Sequence, residues 1–153
     1  MADETSGANG EVKFSGGCLC GAVRYESTMD PVAGGHCHCL DCRKSSGTGH
    51  CSHVVLPKPA LTVTGQTTAF DKQTDSGNVV TRHFCPTCGS PVYSVNSGFA
   101  DVIFPRASSL DDPDVFTPQM IVYTKRAPAW DHMDGSLPAF DEMPPPEAMP
   151  AEM

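Results

Sequence analysis

The chain has 153 residues, which suits one domain, and its 39% of hydrophobic residues can form one modest core. A formal net charge of −8 argues against a nucleic-acid groove, and 14 glycines and 14 prolines argue against long helices. No apolar run approaches the roughly 18 residues that span a membrane, and the acidic N-terminus lacks the apolar segment of a secretory signal. We therefore expect a cytoplasmic protein whose eight cysteines bind metal rather than form disulfides.

The first half of the chain alternates short strand patterns with turns. Residues 1–10 are polar and glycine-rich, which predicts a disordered tail before a domain that covers 11–135. Alternating apolar and polar residues predict strands at 12–14 and 22–26. A predicted loop runs from Asp30-Pro31 to Gly34-Gly35, and Leu40 to Ser46 predicts one or two helical turns that end at Gly47.

The remainder of the domain again has the pattern of short strands, with Gly, Pro and Asn between them. These predicted strands are 50–56, 61–64, 68–72, 79–84, 91–95, 101–104 and 120–124. About nine short strands with almost no helix indicate a mainly β domain. After Trp130 the chain becomes rich in Pro, Met and acidic residues, and we expect residues 136–153 to form a disordered tail.

Two cysteine pairs have the composition of metal-binding turns. Cys85 and Cys88 are separated by two residues and followed by Gly89, which can adopt the positive φ of a tight turn around a metal. One such turn supplies two ligands, and Cys18 and Cys20, which are also followed by a glycine, are the natural second pair. We predict that these four thiolates close one structural zinc site and, with it, a loop of about 65 residues.

Three further cysteines, Cys37, Cys39 and Cys42, lie within six residues of one another. Thiolates suit zinc, and two arrangements fit the spacing. Either Cys51 completes a second closed site, or Cys51 is a buried thiol and the other three form an open site. Side chains alternate in an extended segment, so we expect His38 to point away from a metal that Cys37 and Cys39 face.

Other polar side chains near these cysteines are candidates for supporting roles. Histidine titrates near neutral pH, which makes four histidines candidates for proton transfer: His36, His38, His50 and His53. Arg43 and Lys44 follow Cys42 directly and are candidates for binding a substrate carboxylate.

Three segments together resemble a known family. Gly16 to Tyr25 resembles G-G-C-x-C-G-x-V-R-[YF], Cys37 to Lys44 resembles C-H-C-x-x-C-R-[KR], and Arg82 to Ser90 resembles R-x-F-C-x-x-C-G-[ST]. These motifs, in this order, are typical of the glutathione-dependent formaldehyde-activating enzyme family, also called the centromere-protein-V/GFA domain. The resemblance extends over residues 12–131.

This resemblance implies a β-tent fold of small antiparallel sheets with little helix, stabilised by zinc. It implies two zinc ions per chain, one structural and one associated with catalysis. The structural ion would take Cys18, Cys20, Cys85 and Cys88, and the second ion would take Cys37, Cys39 and Cys42. The implied activity is that of a carbon–sulfur lyase, which forms or cleaves an adduct between a small thiol such as glutathione and an aldehyde such as formaldehyde.

Two other hypotheses belong to different functional classes. One is a non-catalytic, zinc-stabilised binding module, and the other is metal storage or redox sensing through Cys37, Cys39 and Cys42. The fourth coordination position of the second zinc distinguishes them from an enzyme. A Cys51 sulfur about 2.3 Å from that zinc would close the site and remove the main support for catalysis.

Overall fold

The computed structural model describes residues 10–149, so most of the predicted N-terminal tail lies outside the described residues. Within this range the protein is mainly β, as the sequence predicts. The strands are β1 Phe14–Gly17, β2 Arg24–Ser27, β3 Ala33–Cys37, β4 Cys51–Pro57, β5 Leu61–Thr64, β6 Thr68–Gln73, β7 Val79–Phe84, β8 Pro91–Asn96, β9 Val102–Pro105 and β10 Ile121–Val122. One α-helix is present in the described part of the chain, α1 at Leu40–Ser46. Short 3-10 turns occupy Lys58–Ala60, Ala107–Ser109, Pro113–Val115, Thr124–Arg126 and Pro146–Ala148.

The strands form two sheets. The smaller sheet has the order β1-β2-β5, and the larger has the order β10-β3-β4-β9-β8-β7-β6. β10 runs parallel to β3, and the other pairs are antiparallel. None of the helices in residues 10–149 has the length and apolar character that crossing a bilayer requires.

The main core lies between the smaller sheet and the centre of the larger one. Alternation along β2 buries Tyr25, whose hydroxyl hydrogen-bonds Ser109 Oγ at 2.6 Å. Val54, Leu56 and Val92 are fully buried from the larger sheet and belong to the same hydrophobic cluster. The core therefore packs β2 against β4, which begins at Cys51, and against β8, which follows Cys88 in the chain.

The predicted helix at residues 40–46 is confirmed. Cys39 is its N-cap, and the Cys39 sulfur accepts a hydrogen bond from the backbone N–H of Cys42. Gly47, with φ of 78°, ends the helix in the left-handed conformation that glycine adopts without a steric penalty.

The predicted loop at residues 30–35 is wrong in its second half, because β3 begins at Ala33. Glycine is poorly represented in strands, so Gly34 and Gly35 hid this strand from the sequence pattern. The structure gives the reason for both glycines. A Cβ on Gly34 would lie 2.7 Å from the Phe116 ring, and one on Gly35 would lie 3.0 Å from the Met120 carbonyl oxygen.

The predicted C-terminal tail follows a defined path as far as residue 149. Ala139 forms a β-bridge with Ile121, and Phe140 donates its N–H to the Ile121 carbonyl at 2.9 Å. The Phe140 side chain packs against the cluster that contains Cys37 and Cys42. Proline-rich composition predicts disorder, yet here the backbone of β10 offers free hydrogen-bonding groups and the cysteine cluster offers apolar surface.

Gly16 provides a test of the packing between β1 and the core. A Cβ at this position would overlap the Tyr25 hydroxyl and the Ser109 carbonyl oxygen, and the backbone oxygen has little freedom to move. We expect Gly16→Ala to lower the free energy of unfolding by about 1–3 kcal/mol, measured by urea denaturation. Gly135→Ala is the matched control, because a Cβ there meets nothing within 4 Å. Equal stability of the two variants would contradict the described packing.

Candidate metal centres

Four cysteine side chains from two turns converge at one edge of the molecule. Cys18 and Cys20 come from the β1–β2 turn, and Cys85 and Cys88 come from the β7–β8 turn. Their sulfur atoms all lie within 4.8 Å of one another, and the Cys18–Cys20 and Cys20–Cys85 sulfurs are 3.7 Å apart. Four sulfurs at about 2.3 Å from a tetrahedral zinc are about 3.8 Å apart. The group therefore can hold a metal ion of this size.

The local backbone shapes both turns around the sulfurs. Gly21 and Gly89, the glycines that follow each pair, have φ of 86° and 78°, and the positive φ of Gly89 agrees with the sequence-based expectation for a tight turn. Backbone N–H groups donate to sulfur, from Val23 to Cys18 at 3.2 Å and from Thr87 to Cys85 at 3.3 Å. Such donors stabilise the thiolate form that a metal requires.

A second group consists of Cys37 at the end of β3, Cys39 at the N-cap of α1 and Cys42 in the first turn of α1. We call these three residues the thiol trio. Their sulfurs lie within 4.8 Å of one another, so this group also can hold a metal ion. Cys42 is buried, whereas Cys39 is half-buried, so solvent reaches one side of the trio.

The electrostatics of the thiol trio favour a bound cation. Contacts with Cys39 and Cys42, followed by burial, raise the pKa of Cys37 strongly. Contacts with Cys37 and Cys39 hold the pKa of Cys42 well below its usual value. Three thiolates at this separation repel one another, so ionisation of one sulfur opposes ionisation of the next. A divalent cation removes that conflict.

Cys51 lies beside the thiol trio but does not belong to it. It pairs with Cys37 across β3 and β4 and is 2% exposed. Among residues 10–149, the group of sulfurs within 4.8 Å of one another contains Cys37, Cys39 and Cys42 without Cys51. Cys51 contacts the Cys42 side chain, and His53 contacts both, with Nε2 3.5 Å from the Cys42 sulfur and Nδ1 3.9 Å from the Cys51 sulfur.

Three other candidate histidines, His36, His38 and His50, form a separate cluster with Asp131, a residue that the sequence did not single out. His38 and His50 each place Nδ1 near the Asp131 carboxylate, at 3.5 and 2.7 Å. The His36 ring packs against the His50 ring, with centroids 4.9 Å apart. Burial, followed by the nearby charges of His50 and His38, lowers the pKa of His36 to about 4. Asp131 is one acidic residue among many in the chain, so nothing in the sequence distinguishes it.

Tyr123 is a second residue that sequence reasoning missed. It has a φ of 59°, a left-handed conformation that is costly for a bulky side chain, and it packs on the cluster that contains the thiol trio. Burial, followed by the charges of Cys37 and Cys39, raises the pKa of its phenol. No sequence pattern marks a residue for positive φ unless it is glycine, asparagine or aspartate.

A cleft of about 510 Å³ shares two wall residues with the surroundings of the cluster that contains Cys37 and Cys42. Met120, Phe140 and Met149 contribute to its walls, and Met120 and Phe140 also pack against the cysteine cluster. The candidate substrate-binding cations lie on α1 instead. Arg43 is half-buried and Lys44 is exposed, and neither takes part in an ion pair among the described residues.

Comparison with protein families matches residues 13–126 to the family described as "Glutathione-dependent formaldehyde-activating enzyme". The match covers most of the chain and includes all seven cysteines of the two groups. The chain belongs to this family, as the sequence resemblance predicts.

One relative is consistent with this membership, and one solved structure has a similar fold. A protein of Halomonas elongata described as "Putative glutathione-dependent formaldehyde-activating enzyme" is 27% identical over 123 residues, which cover 76% of this chain and 78% of the relative. A crystal structure of a Rhodobacter sphaeroides protein superposes with a TM-score of 0.53 and 21% identity, covering 68% of this chain and 96% of that one. At this identity the superposition supports the fold alone.

Loss of one sulfur tests the four-cysteine group. If this group holds a structural metal, Cys85→Ser removes a ligand from a site whose binding free energy is part of the folding free energy. We expect the variant to unfold, or to lose several kcal/mol in the free energy of unfolding, in thermal denaturation followed by circular dichroism. Cys51→Ser is the control, because it replaces an equally buried sulfur outside both groups. A Cys85→Ser domain as stable as the control would rule out a structural role.

Proposed function

We propose that the protein is a zinc-dependent carbon–sulfur lyase that forms or cleaves the adduct of a small thiol, such as glutathione, with an aldehyde, such as formaldehyde. The observation that carries this proposal is the thiol trio: three sulfurs converge, and the neighbouring Cys51 stays outside the group. Three protein ligands with one free position are typical of catalytic zinc sites, whereas structural sites have four. Family membership supports the same substrates.

In this proposal Cys18, Cys20, Cys85 and Cys88 hold one zinc for stability, and Cys37, Cys39 and Cys42 hold the second. Zinc bound by the trio would supply a coordination position for a thiolate or a carbonyl oxygen. In the proposed reaction a bond forms between the thiol sulfur and the aldehyde carbon, and the thiol proton ends on the aldehyde oxygen. Cleavage is the reverse. A cytoplasmic location, where thiols stay reduced, suits both the cysteines and the substrate.

The surrounding side chains have separate proposed tasks. Arg43 and Lys44 project from the helix that carries Cys42, and they bind the carboxylates of an anionic thiol. Phe140 and Tyr123 pack against the cluster that contains Cys37 and Cys42, and their apolar surface limits the access of water from that side. Among residues 10–149 the cleft walls carry no charged side chain, so this part of the cleft suits the apolar part of a substrate better than a carboxylate.

His53 has a positioning role in this proposal. Its Nε2 lies 3.5 Å from the Cys42 sulfur, within reach of an N–H to sulfur hydrogen bond. Hydrogen bonds of this kind orient a metal-bound thiolate and tune its charge.

The first test compares two sulfurs of the same cluster. We expect Cys39→Ser to remain folded but to bind one zinc fewer per chain, and to lose catalysis, because serine is a poor zinc ligand at neutral pH. We expect Cys51→Ser to retain both zinc ions and most of the activity. Zinc is counted by elemental analysis after dialysis. Activity is the enzyme-dependent acceleration of exchange between glutathione, formaldehyde and their adduct, measured by NMR.

Loss of a zinc equivalent in Cys51→Ser would indicate a closed four-thiolate site and refute the open one. Full activity in Cys39→Ser would show that catalysis does not depend on the thiol trio. Global unfolding of Cys39→Ser would mean that the trio serves stability rather than chemistry.

The second test concerns His53. We expect His53→Leu to weaken the more weakly held zinc about 10- to 100-fold in competition with a chromophoric chelator, without changing the number of zinc ions at saturation. His53→Gln retains an N–H donor and is expected to lose less affinity. His132→Leu, at an exposed position away from the cysteines, is the control. Equal affinity in all three variants would refute the positioning role.

A further inference from the structure

Strands β3 and β4 separate two kinds of metal-binding side chain. Cys37 and Cys51 are paired in register and face one side of the two strands. The neighbouring pair, His36 and Ser52, faces the other side because side chains alternate along a strand, and His36 Nδ1 lies 2.8 Å from Ser52 Oγ. The His50 ring packs on His36. Cys37 and Cys51 therefore lie on one face together with His53, whereas His36 lies on the other, here called the imidazole face, with the His50 ring packed on it.

On the imidazole face, His38, His50 and Asp131 converge. One ring nitrogen of each histidine and one carboxylate oxygen lie within 4.8 Å of one another. Asp131 Oδ2 is 2.7 Å from His50 Nδ1 and 3.5 Å from His38 Nδ1. Two ligand atoms at about 2.0–2.1 Å from a tetrahedral zinc are about 3.3 Å apart, and the two observed separations bracket this value.

The fold leaves room for this cluster and for access to it. A Cβ on Gly49 would lie 2.7 Å from the Asp131 Cβ, so a larger residue at position 49 would displace the carboxylate. The side chain of His38 is 1% exposed, whereas those of Asp131 and His50 are 12% and 20% exposed. The cluster thus has a buried base and an open side through which an ion can enter.

The hydrogen bonds of this cluster leave one buried ring nitrogen of His38 without a partner among the described residues. His38 Nδ1 lies 3.2 Å from the Gly49 carbonyl oxygen, which accounts for one ring nitrogen. His38 Nε2 is buried and has no hydrogen-bond partner within residues 10–149. A buried nitrogen without a partner is costly, so hydrogen bonds within the described residues favour neither ring nitrogen as the carrier of the proton, and Nδ1 can bind an ion in the tautomer that is protonated at Nε2.

We propose that His38, His50 and Asp131 bind a divalent transition-metal ion at a site distinct from both cysteine groups. Imidazole and carboxylate ligands suit Zn²⁺, Co²⁺ and Fe²⁺, and two histidines with one carboxylate leave coordination positions for water or a substrate oxygen.

The test counts bound metal in matched variants. Wild type, Asp131→Asn, His50→Gln and the control His132→Gln are dialysed against a range of free Zn²⁺ concentrations, and bound zinc per chain is measured. We expect wild type and His132→Gln to bind one equivalent more than Asp131→Asn and His50→Gln. Gly49→Ala removes no ligand but displaces Asp131, and is expected to weaken the same equivalent. Equal binding by all five proteins would overturn the proposal.

Cobalt substitution identifies which ligands hold the additional ion. Cobalt on thiolates gives intense sulfur-to-cobalt charge-transfer absorption, whereas cobalt on imidazole and carboxylate does not. We expect Asp131→Asn to lose one cobalt per chain with unchanged charge-transfer absorption, which also shows that the cysteine sites remain folded. A parallel loss of that absorption would assign the ion to cysteines and overturn the proposal. Failure of the lyase proposal would appear instead in the Cys39→Ser comparison, so the two outcomes are separate.

Discussion

Sulfur-to-sulfur contacts between two distant turns connect the two sheets of this protein. The Cys20 and Cys85 sulfurs are 3.7 Å apart, although the residues are 65 positions apart in the chain. Four sulfurs this close cannot all ionise without a cation, because each thiolate raises the cost of the next. A metal ion converts that repulsion into a cross-link, and closing so long a loop reduces the conformational freedom of the unfolded chain. A domain with short strands and one seven-residue helix gains more from such a cross-link than a larger domain would.

The β3–β4 pair organises the rest of the functional region. β3 ends at Cys37, and the helix α1 that follows has Cys39 at its N-cap and Cys42 in its first turn. β4 places His53 Nε2 3.5 Å from the Cys42 sulfur. The opposite face of the same two strands carries the imidazole cluster. The thiolate ligands of the trio and the proposed ligands His38, His50 and Asp131 are therefore separated by a single backbone layer, and the two groups offer different donor atoms to a metal.

Sequence pattern was reliable where local signals agreed with the tertiary contacts. The helix at residues 40–46 has a capping residue and a terminal glycine, and β5 and β7 have the predicted bounds 61–64 and 79–84. Pattern failed where a long-range contact determined the conformation. Gly34 and Gly35 lie in β3 because Phe116 and Met120 approach their backbone closely. Ala139 and Phe140 pair with Ile121 of β10, although the proline content of this segment resembles that of a linker.

Amino-acid types and their spacing alone predicted the mainly β fold class, the family resemblance and the close cysteine sets Cys18/Cys20, Cys85/Cys88 and Cys37/Cys39/Cys42. Each of these sets is local, because two or three cysteines in one turn remain neighbours in any fold. Tertiary structure decided the position of Cys51, which belongs to neither group, and the meeting of His38 and His50 with Asp131. Those outcomes depend on strand register and on the path of the chain after β10, where residues far apart in sequence meet. Spacing along a chain cannot encode the distance between atoms that only packing brings together.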